Sequence, residues 1–397
     1  MVKKNNVSET VEEVIVNQQV RKKIKVLYII TSFEKTGPIQ QLYNLISNLD
    51  KDLFEVKLIT VYDEKENVAS MIEDYKNLVS WSCIKTSKLQ MLLGCVPKIK
   101  QEISAFNPDV IHTSGVFPDY MVSRMRTGRH VMTSRNFVYD DYISKYGNFR
   151  GNLMVRMHLY VMTHTKYSRV CSESLHNIYI EKLGIDLPFI RNGVDIEKYF
   201  PCNDSEKRKI RIKLGLPTDS IIIVYGAGFN ERKNHEFLLR AYLESNCFKN
   251  TVLLLLGRGQ FYDKLKDMYG QYKNILMPGS TTIMNEYLRA SDYYVSTSKS
   301  EGLPNGVIEA LASGLPVLLS DIPQHAEILS VNPEIGYLYK SDDVLDFSDK
   351  MDFLLARNKH EMSSKSRITA ETYFGSKIMS QNYQDLYKTI VQDHLKR

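Results

Sequence analysis

Short apolar runs alternate along this chain with stretches in which apolar residues recur every three or four positions. The runs fall into two sets. The first comprises Ile24 to Ile30 (IKVLYII), Val56 to Val61, Val110 to Thr113, His130 to Thr133 and Arg169 to Ser172, with a helical pattern over Ile39 to Leu49. The second comprises Ser220 to Tyr225, Thr251 to Leu256, Asn274 to Met277, Tyr293 to Ser296 and Val317 to Ser320, with a helical pattern over His235 to Glu244. Strands that read as nearly continuous apolar runs and alternate with helices predict parallel sheets covered on both faces. The fold class is therefore α/β, in two units over residues 23–203 and 204–375. A polar extension over 1–22 precedes them. Over 376–397, Met379, Tyr383, Leu386, Tyr387 and Ile390 stand at helical spacing and predict a closing amphipathic helix.

Composition agrees with two cores: 397 residues, 43% apolar and 25% charged, is ordinary for a globular chain longer than one usual domain. The five cysteines, Cys83, Cys95, Cys171, Cys202 and Cys247, show no C-x-x-C spacing, which argues for reduced thiols rather than a disulfide or metal framework. No run reaches the roughly 18 apolar residues of a membrane span, and the first residues lack the apolar core of a signal peptide. A cytoplasmic location is expected.

The net charge of +6 is unevenly placed. Between Pro118 and Arg169 nine Lys or Arg residues face three Asp, interleaved with Tyr139, Tyr142, Tyr146, Phe149, Met154, Met157, Tyr160 and Met162. Such a segment suits anionic lipid headgroups, and thus peripheral attachment to the inner face of the cell membrane; the alternative is a solvated basic face over core aromatics. Nucleic acid is not expected, because no nucleic-acid-binding signature accompanies the charge.

The segment Ser298 to Ser320, SKSEGLPNGVIEALASGLPVLLS, carries the most specific chemistry. Glu301 lies in a loop, Pro304 suits a first helical turn, Val307, Ile308, Leu311 and Ala312 form a buried stripe, and Gly314 with Pro316 ends the helix. Glu309 then lies on the opposite face. The amides of Gly302, Leu303, Pro304, Asn305 and Gly306, proline excepted, sit at a helix N-terminus, where orphan donors and the helix dipole favour an anion.

This E-x7-E pattern, with its small-residue helix and G-x-P-V, resembles the donor site of glycosyltransferase family 4, the retaining enzymes of the GT-B fold. The linker Arg191 to Asp195 (RNGVD) with Phe200 and Pro201 is similar to the family's interdomain segment, so the resemblance spans about residues 24–390. It implies two facing Rossmann-like domains with a nucleotide-sugar donor, preferably a UDP-sugar, in the cleft between them. By the same resemblance, Glu301 approaches the transferred sugar, Glu309 the ribose and Lys233 the diphosphate. The Gly37 turn approaches phosphate and acceptor, and Gly257 borders the nucleobase. The closing helix crosses back to the first domain.

Two positions depart from the family. Gly228 replaces the arginine usual five residues before the lysine, so one phosphate contact is missing or comes from Arg232. On the acceptor side, Arg135-Asn136-Phe137 stands where many members have a histidine, leaving His112 as the nearest candidate base in sequence. The family's reaction is usually described as attack on the face the diphosphate leaves, with the diphosphate taking the acceptor proton, so positioning and charge carry it. No cofactor or metal is expected; the single D-x-D, Asp50-Lys51-Asp52, lies in a polar turn far from the donor motif. The expected function is sugar transfer to a glycan acceptor, lipid-linked, in surface polysaccharide synthesis. The alternatives are a sugar-nucleotide epimerase of the same fold and a catalytically silent partner subunit.

Overall fold

The computed structural model describes residues 23–64, 68–85 and 95–396, so the polar extension lies outside the described residues. Two six-stranded sheets organise the chain, and every strand pair in them is parallel. The first contains β1 (Ile24–Ile30), β2 (Phe54–Thr60), β3 (Ser80–Cys83), β4 (Val110–Ser114), β5 (His130–Ser134) and β6 (Tyr167–Val170). Its spatial order is β3-β2-β1-β4-β5-β6. The second contains β7 (Ile221–Gly226), β8 (Thr251–Leu256), β9 (Ile275–Gly279), β10 (Tyr293–Ser296), β11 (Val317–Ser320) and β12 (Gly336–Tyr339). Its order, β9-β8-β7-β10-β11-β12, repeats the first, and both are the doubly wound arrangement of dinucleotide-binding folds. Order reverses beside β1 and β4 in one sheet and beside β7 and β10 in the other. Ligands of such sheets bind beyond the strand ends at these switch points.

Two edge strands escape the hydrophobic pattern. Strands β3 (SWSC) and β12 (GYLY) are four residues each and only partly buried, too short and too polar to read as core runs. Strand β6 begins two residues earlier than expected. Its expected last residue, Ser172, instead leaves the strand to cap the next helix, accepting the Leu175 amide on its hydroxyl.

The helices that matter below are α1 (Gly37–Ile46), α2 (Cys95–Phe106), α3 (Val116–Met125), α4 (Val138–His164), α5 (Glu173–Leu183), α6 (His235–Glu244), α7 (Asn305–Ala312), α8 (Pro323–Val331) and α9 (Ser376–Leu395). Helix α4 bends sharply at Gly147, whose φ of 72° is open to glycine without steric cost. Beyond the bend Gly151 packs on the first half: a Cβ there would lie 2.8 Å from the Ile143 Cα. The basic, aromatic segment is thus largely a folded-back helix.

Helix α9 belongs to the first sheet's core. Met379, Tyr383, Leu386, Tyr387 and Ile390 are buried with Val26, Tyr28 and Ile30 of β1, and the Tyr387 and Tyr28 hydroxyls are 2.9 Å apart. Glu327 of α8 clamps the units from the other side. Its carboxylate accepts the Glu173 and Ser174 amides at the start of α5 (3.1 and 2.9 Å), the Ser174 hydroxyl (2.7 Å) and Arg191 Nε (2.7 Å). An anion at a helix N-terminus meets both orphan donors and the favourable end of the dipole.

Candidate active site

The loops after the strands and two helix starts build the site. After β7 the chain makes a tight turn, Glu231–Lys233, closed by the Asn230 side chain accepting the Lys233 amide at 3.1 Å. Its carbonyls are pinned: Tyr225 and Thr297 hydroxyls donate to Lys233 O at 3.1 and 3.0 Å, and the Lys299 amide donates to Arg232 O at 2.8 Å. The turn therefore projects Arg232 and Lys233 rigidly toward the loop after β10. There Glu301, 7% exposed, receives both: Arg232 Nη1 lies 2.6 Å from one carboxylate oxygen, and Lys233 Nζ bonds the other. Arg232 also donates to Ser300 O at 2.7 Å.

Two cations on one carboxylate leave an excess positive charge in a buried place. Burial alone would push the Glu301 carboxyl up, but Lys233 and Arg232 hold it well below the ordinary carboxylate range. The same burial pushes the Lys233 ammonium below its usual value, against the pull of Glu301. His235, stacked on Phe229 at 3.9 Å at the start of α6, is pushed down to about 3 by burial and by Lys233, so it stays neutral.

Gly302 and Gly306 have no room for a side chain. A Cβ on Gly302 would collide with the Arg135 carbonyl oxygen across the cleft, and one on Gly306 with the Tyr294 hydroxyl. Leu303 is buried, and Pro304 occupies the N-cap of α7 rather than its first turn, so no side chain caps this helix. Helix α1 likewise starts without a side-chain cap, behind Thr36, and a Cβ on Gly37 would stand 3.3 Å from Asn305 Nδ2. Two uncapped helix N-termini, one from each unit, thus meet across the cleft. Asn305 Oδ1 ties them together, accepting from Gln41 Nε2 (3.1 Å) and Asn192 Nδ2 (3.2 Å).

Glu309 sits further along α7, half-buried. Burial pushes its carboxyl up to about 7, opposed by Lys198, a Tyr199 hydrogen bond and Lys35. Around the nucleobase position of the resemblance, Gly257 is required: its φ is 142°, and a Cβ would strike the Ala227 carbonyl oxygen. Gly228 is not crowded, with Arg258 O and Asn230 Nδ2 both 3.6 Å from a Cβ placed there.

On the acceptor side the structure corrects the expectation for His112. It is 2% exposed, its Nδ1 lies 2.7 Å from the Tyr387 hydroxyl and its Nε2 3.3 Å from Thr133 Oγ1, and burial lowers its pKa well below the ordinary value. It is a satisfied core histidine, held by α9. Arg135 does reach the cleft and donates to Asn192 Oδ1 at 2.6 Å. Asn136 donates to Asp141 Oδ1 at 3.2 Å and lines a small recess with Asp140, Asp141, Arg232 and Glu301. Sequence reading missed Gln41, Tyr199 and Glu327, whose partners are distant in the chain, and Asp141, whose partners Asn136 and Lys145 are local but form no motif. Among the described residues no group of three or more His, Cys, Asp or Glu side chains could hold a metal ion.

Two family models match side by side: "Glycosyltransferase Family 4" over residues 37–198 and "Glycosyl transferases group 1" over 206–370. The chain belongs to glycosyltransferase family 4. Among curated relatives, an Escherichia coli UDP-Gal:alpha-D-GlcNAc-diphosphoundecaprenol alpha-1,3-galactosyltransferase is 28% identical over 47% of this chain and 48% of its own length. The putative Bacillus subtilis glycosyltransferase EpsD is likewise 28% identical, over 48% of this chain. The chain spans about half the length of these two relatives. The O-antigen biosynthesis glycosyltransferase WclY of E. coli matches more widely, 21% identical over 94% of this chain and all of its own length. In three dimensions this family 4 member is similar to Thermosynechococcus elongatus sucrose-phosphate synthase (TM-score 0.79, 16% identity, 94% and 100% coverage). It is also similar to Anabaena HepE in a complex with UDP (TM-score 0.75, 16% identity, 92% and 100% coverage). Both likenesses establish the GT-B fold.

Proposed function

We propose that this protein is a retaining glycosyltransferase that moves a hexosyl or related sugar from a UDP-sugar to a lipid-linked glycan in surface polysaccharide synthesis. The observation that carries the reading is the convergence of Lys233 and Arg232 on Glu301 beside two uncapped helix N-termini. A diphosphate entering there takes over the cations and the orphan amides, and Glu301, released, accepts the hydroxyls of the sugar. Glu309, with Tyr199, takes the ribose. Arg232 supplies the charge that the residue at Gly228 lacks. The preference for uridine and for a lipid diphosphate acceptor rests on the E. coli galactosyltransferase, whose name states both.

In the reaction the acceptor oxygen bonds to the anomeric carbon on the face from which the diphosphate oxygen departs. The bond between the anomeric carbon and the diphosphate oxygen breaks as the new one forms, and the acceptor proton passes to the departing oxygen. The buried positive charge stabilises the leaving group most as its charge grows, so it acts on the transition state. No metal takes part in this reading, since Lys233, Arg232 and the amides supply the positive charge. The basic helix α4 and its surroundings lie against the inner face of the cell membrane, where a lipid-linked acceptor is found. Among the described residues no helix is long and apolar enough to cross that membrane.

Incubation with a panel of nucleotide sugars tests the reading. Slow release of sugar to water, with the anomeric configuration kept in the first product seen by NMR, is expected. An isomerised sugar nucleotide would mark an epimerase, and the absence of both released sugar and isomerised donor would mark a silent subunit.

A further inference from the structure

Sharing no residue with the recess at Arg232 and Glu301, the first unit holds a cavity of about 520 Å³ between α2, α3 and α4, within the roughly 300–1,000 Å³ range of ligand sites. Its walls are Val96, Phe117, Tyr120, Met121, Met125 and Met157, and its charged lining residues are Lys100 and Arg124, both exposed. Phe117, Tyr120, Met121, Arg124 and Met125 stand at the spacing of one helix face. A face that apolar, left partly open beside two cations, fits neither a packed core nor a solvated surface.

The groove continues into an exposed apolar ridge. On α4, Phe149, Leu153, Met157 and Tyr160 follow each other by one turn; Phe149 is 88% exposed and Leu153 64%. Phe149 stands at the corner made by the bend at Gly147, and Met157 already lines the groove. At the ridge's far end the Tyr160 ring lies 6.4 Å from that of Tyr120, in the groove wall. Arg150 and Arg156 are exposed on the same helix. Apolar side chains at a corner, basic residues beside them and an apolar groove leading away reproduce, in order, the parts of an anionic amphiphile's surroundings at a bilayer.

We infer that this groove binds one anionic phospholipid of the membrane, its hydrocarbon chain along α3 and its phosphate between Lys100 and Arg124, while Phe149 and Leu153 enter the bilayer. The site is separate from the donor cleft. It deepens the membrane reading given above, on which its setting rests, by naming an individual lipid site rather than a diffuse charge.

Dioctanoylphosphatidylglycerol, held below its micelle concentration, is the probe, with dioctanoylphosphatidylcholine and inorganic phosphate as comparisons. The full chain should bind the anionic lipid saturably at one site, bind the zwitterionic lipid at least tenfold more weakly and keep the lipid in the presence of millimolar phosphate. Lys100→Gln with Arg124→Gln should weaken binding tenfold or more, and Val96→Trp, which fills the groove, should abolish it. Both variants should keep their thermal midpoint and their donor hydrolysis. Phe149→Ser with Leu153→Ser should lose sedimentation with phosphatidylglycerol vesicles yet still bind the short-chain lipid. Equal binding of the two lipids, displacement by phosphate, or unchanged binding in either groove variant would overturn the site. Intact lipid binding in a protein that hydrolyses no sugar nucleotide would instead remove the transferase reading and leave the groove standing.

Discussion

On the second unit's side of the cleft, two cations and a carboxylate meet within hydrogen-bonding distance on a turn whose every carbonyl is pinned. On the first unit's side, the histidine in the middle of β4 is locked between Tyr387 and Thr133, and Arg135 and Asn136 reach the cleft beside Asp140 and Asp141. On the second unit's side the charge can be shared out anew when a ligand arrives; on the first unit's side Arg135 and Asn136 are held by Asn192 and Asp141 and serve to orient. Under the proposed reaction, that difference puts the chemistry with the leaving group, whose departing diphosphate takes the proton that a protein base would otherwise accept.

Removing the strongest element of the donor half should have the largest effect. Lys233→Ala is expected to lower turnover by about 10²–10³, the range seen on deleting a preorganised donor to a developing anion, with a smaller change in nucleotide affinity. Turnover within threefold of wild type would break the contrast. The clamp between the halves comes next. Glu327→Ala leaves Arg191 and two α5 amides without their acceptor and should cost about 3 kcal/mol in denaturant unfolding; no loss would mean that the units are held together by other contacts.

Glu309 sharpens the comparison through pH. Glu309→Gln should raise the donor KM about tenfold at pH 8, where the carboxylate is ionised, and much less at pH 6, so wild-type KM should rise as pH falls through about 7. The sign for stability is the reverse. The folded carboxyl, raised from 4.5 to about 7, holds a proton that the unfolded chain releases, so its contribution falls as pH rises between those values. The glutamine variant should therefore melt higher than wild type at pH 8 and not at pH 4. A pH-independent KM in the wild type would remove Glu309 from the ribose.

Smaller effects test the two departures from the family. Arg232→Ala should lower turnover about tenfold, and adding Gly228→Arg should restore most of it, because a side chain at 228 meets only ordinary contacts. A double variant no better than Arg232→Ala would show that position 228 does not face the diphosphate. Least of all should His112→Phe change turnover: a loss of stability of about 1–3 kcal/mol from unpaired hydroxyls, with kcat at 25 °C within twofold. A thousandfold fall in kcat would restore a base to the acceptor side.

The same asymmetry governs how far the amino-acid sequence discloses the fold and the site. Ten of the strands appear as apolar runs because buried parallel strands have no polar face to interrupt them; β3 and β12, two of the four edge strands, are four residues each and only partly buried, and there the run dissolves. The E-x7-E segment is legible because backbone demands and chemistry coincide there: Gly302 and Gly306 are forced by collisions, and Gly314 by a φ of 75°. Gln41, Asn192 and Asn305 meet from three places in the chain, and only the fold shows that they share hydrogen bonds. His112 misleads because a strand histidine looks the same in sequence whether its neighbour is solvent or a tyrosine from residue 387.

That tyrosine has a consequence for how the protein is made. The ribosome releases the first sheet early, but Met379, Tyr383, Tyr387 and Ile390, which cover one of its faces, emerge only after the whole second sheet. During synthesis the first unit must wait with that face bare while the second completes its own core. Order of assembly is thereby inverted relative to order of translation. A nascent chain arrested before residue 376 should be cut by protease within residues 23–190 and resist it within 204–370.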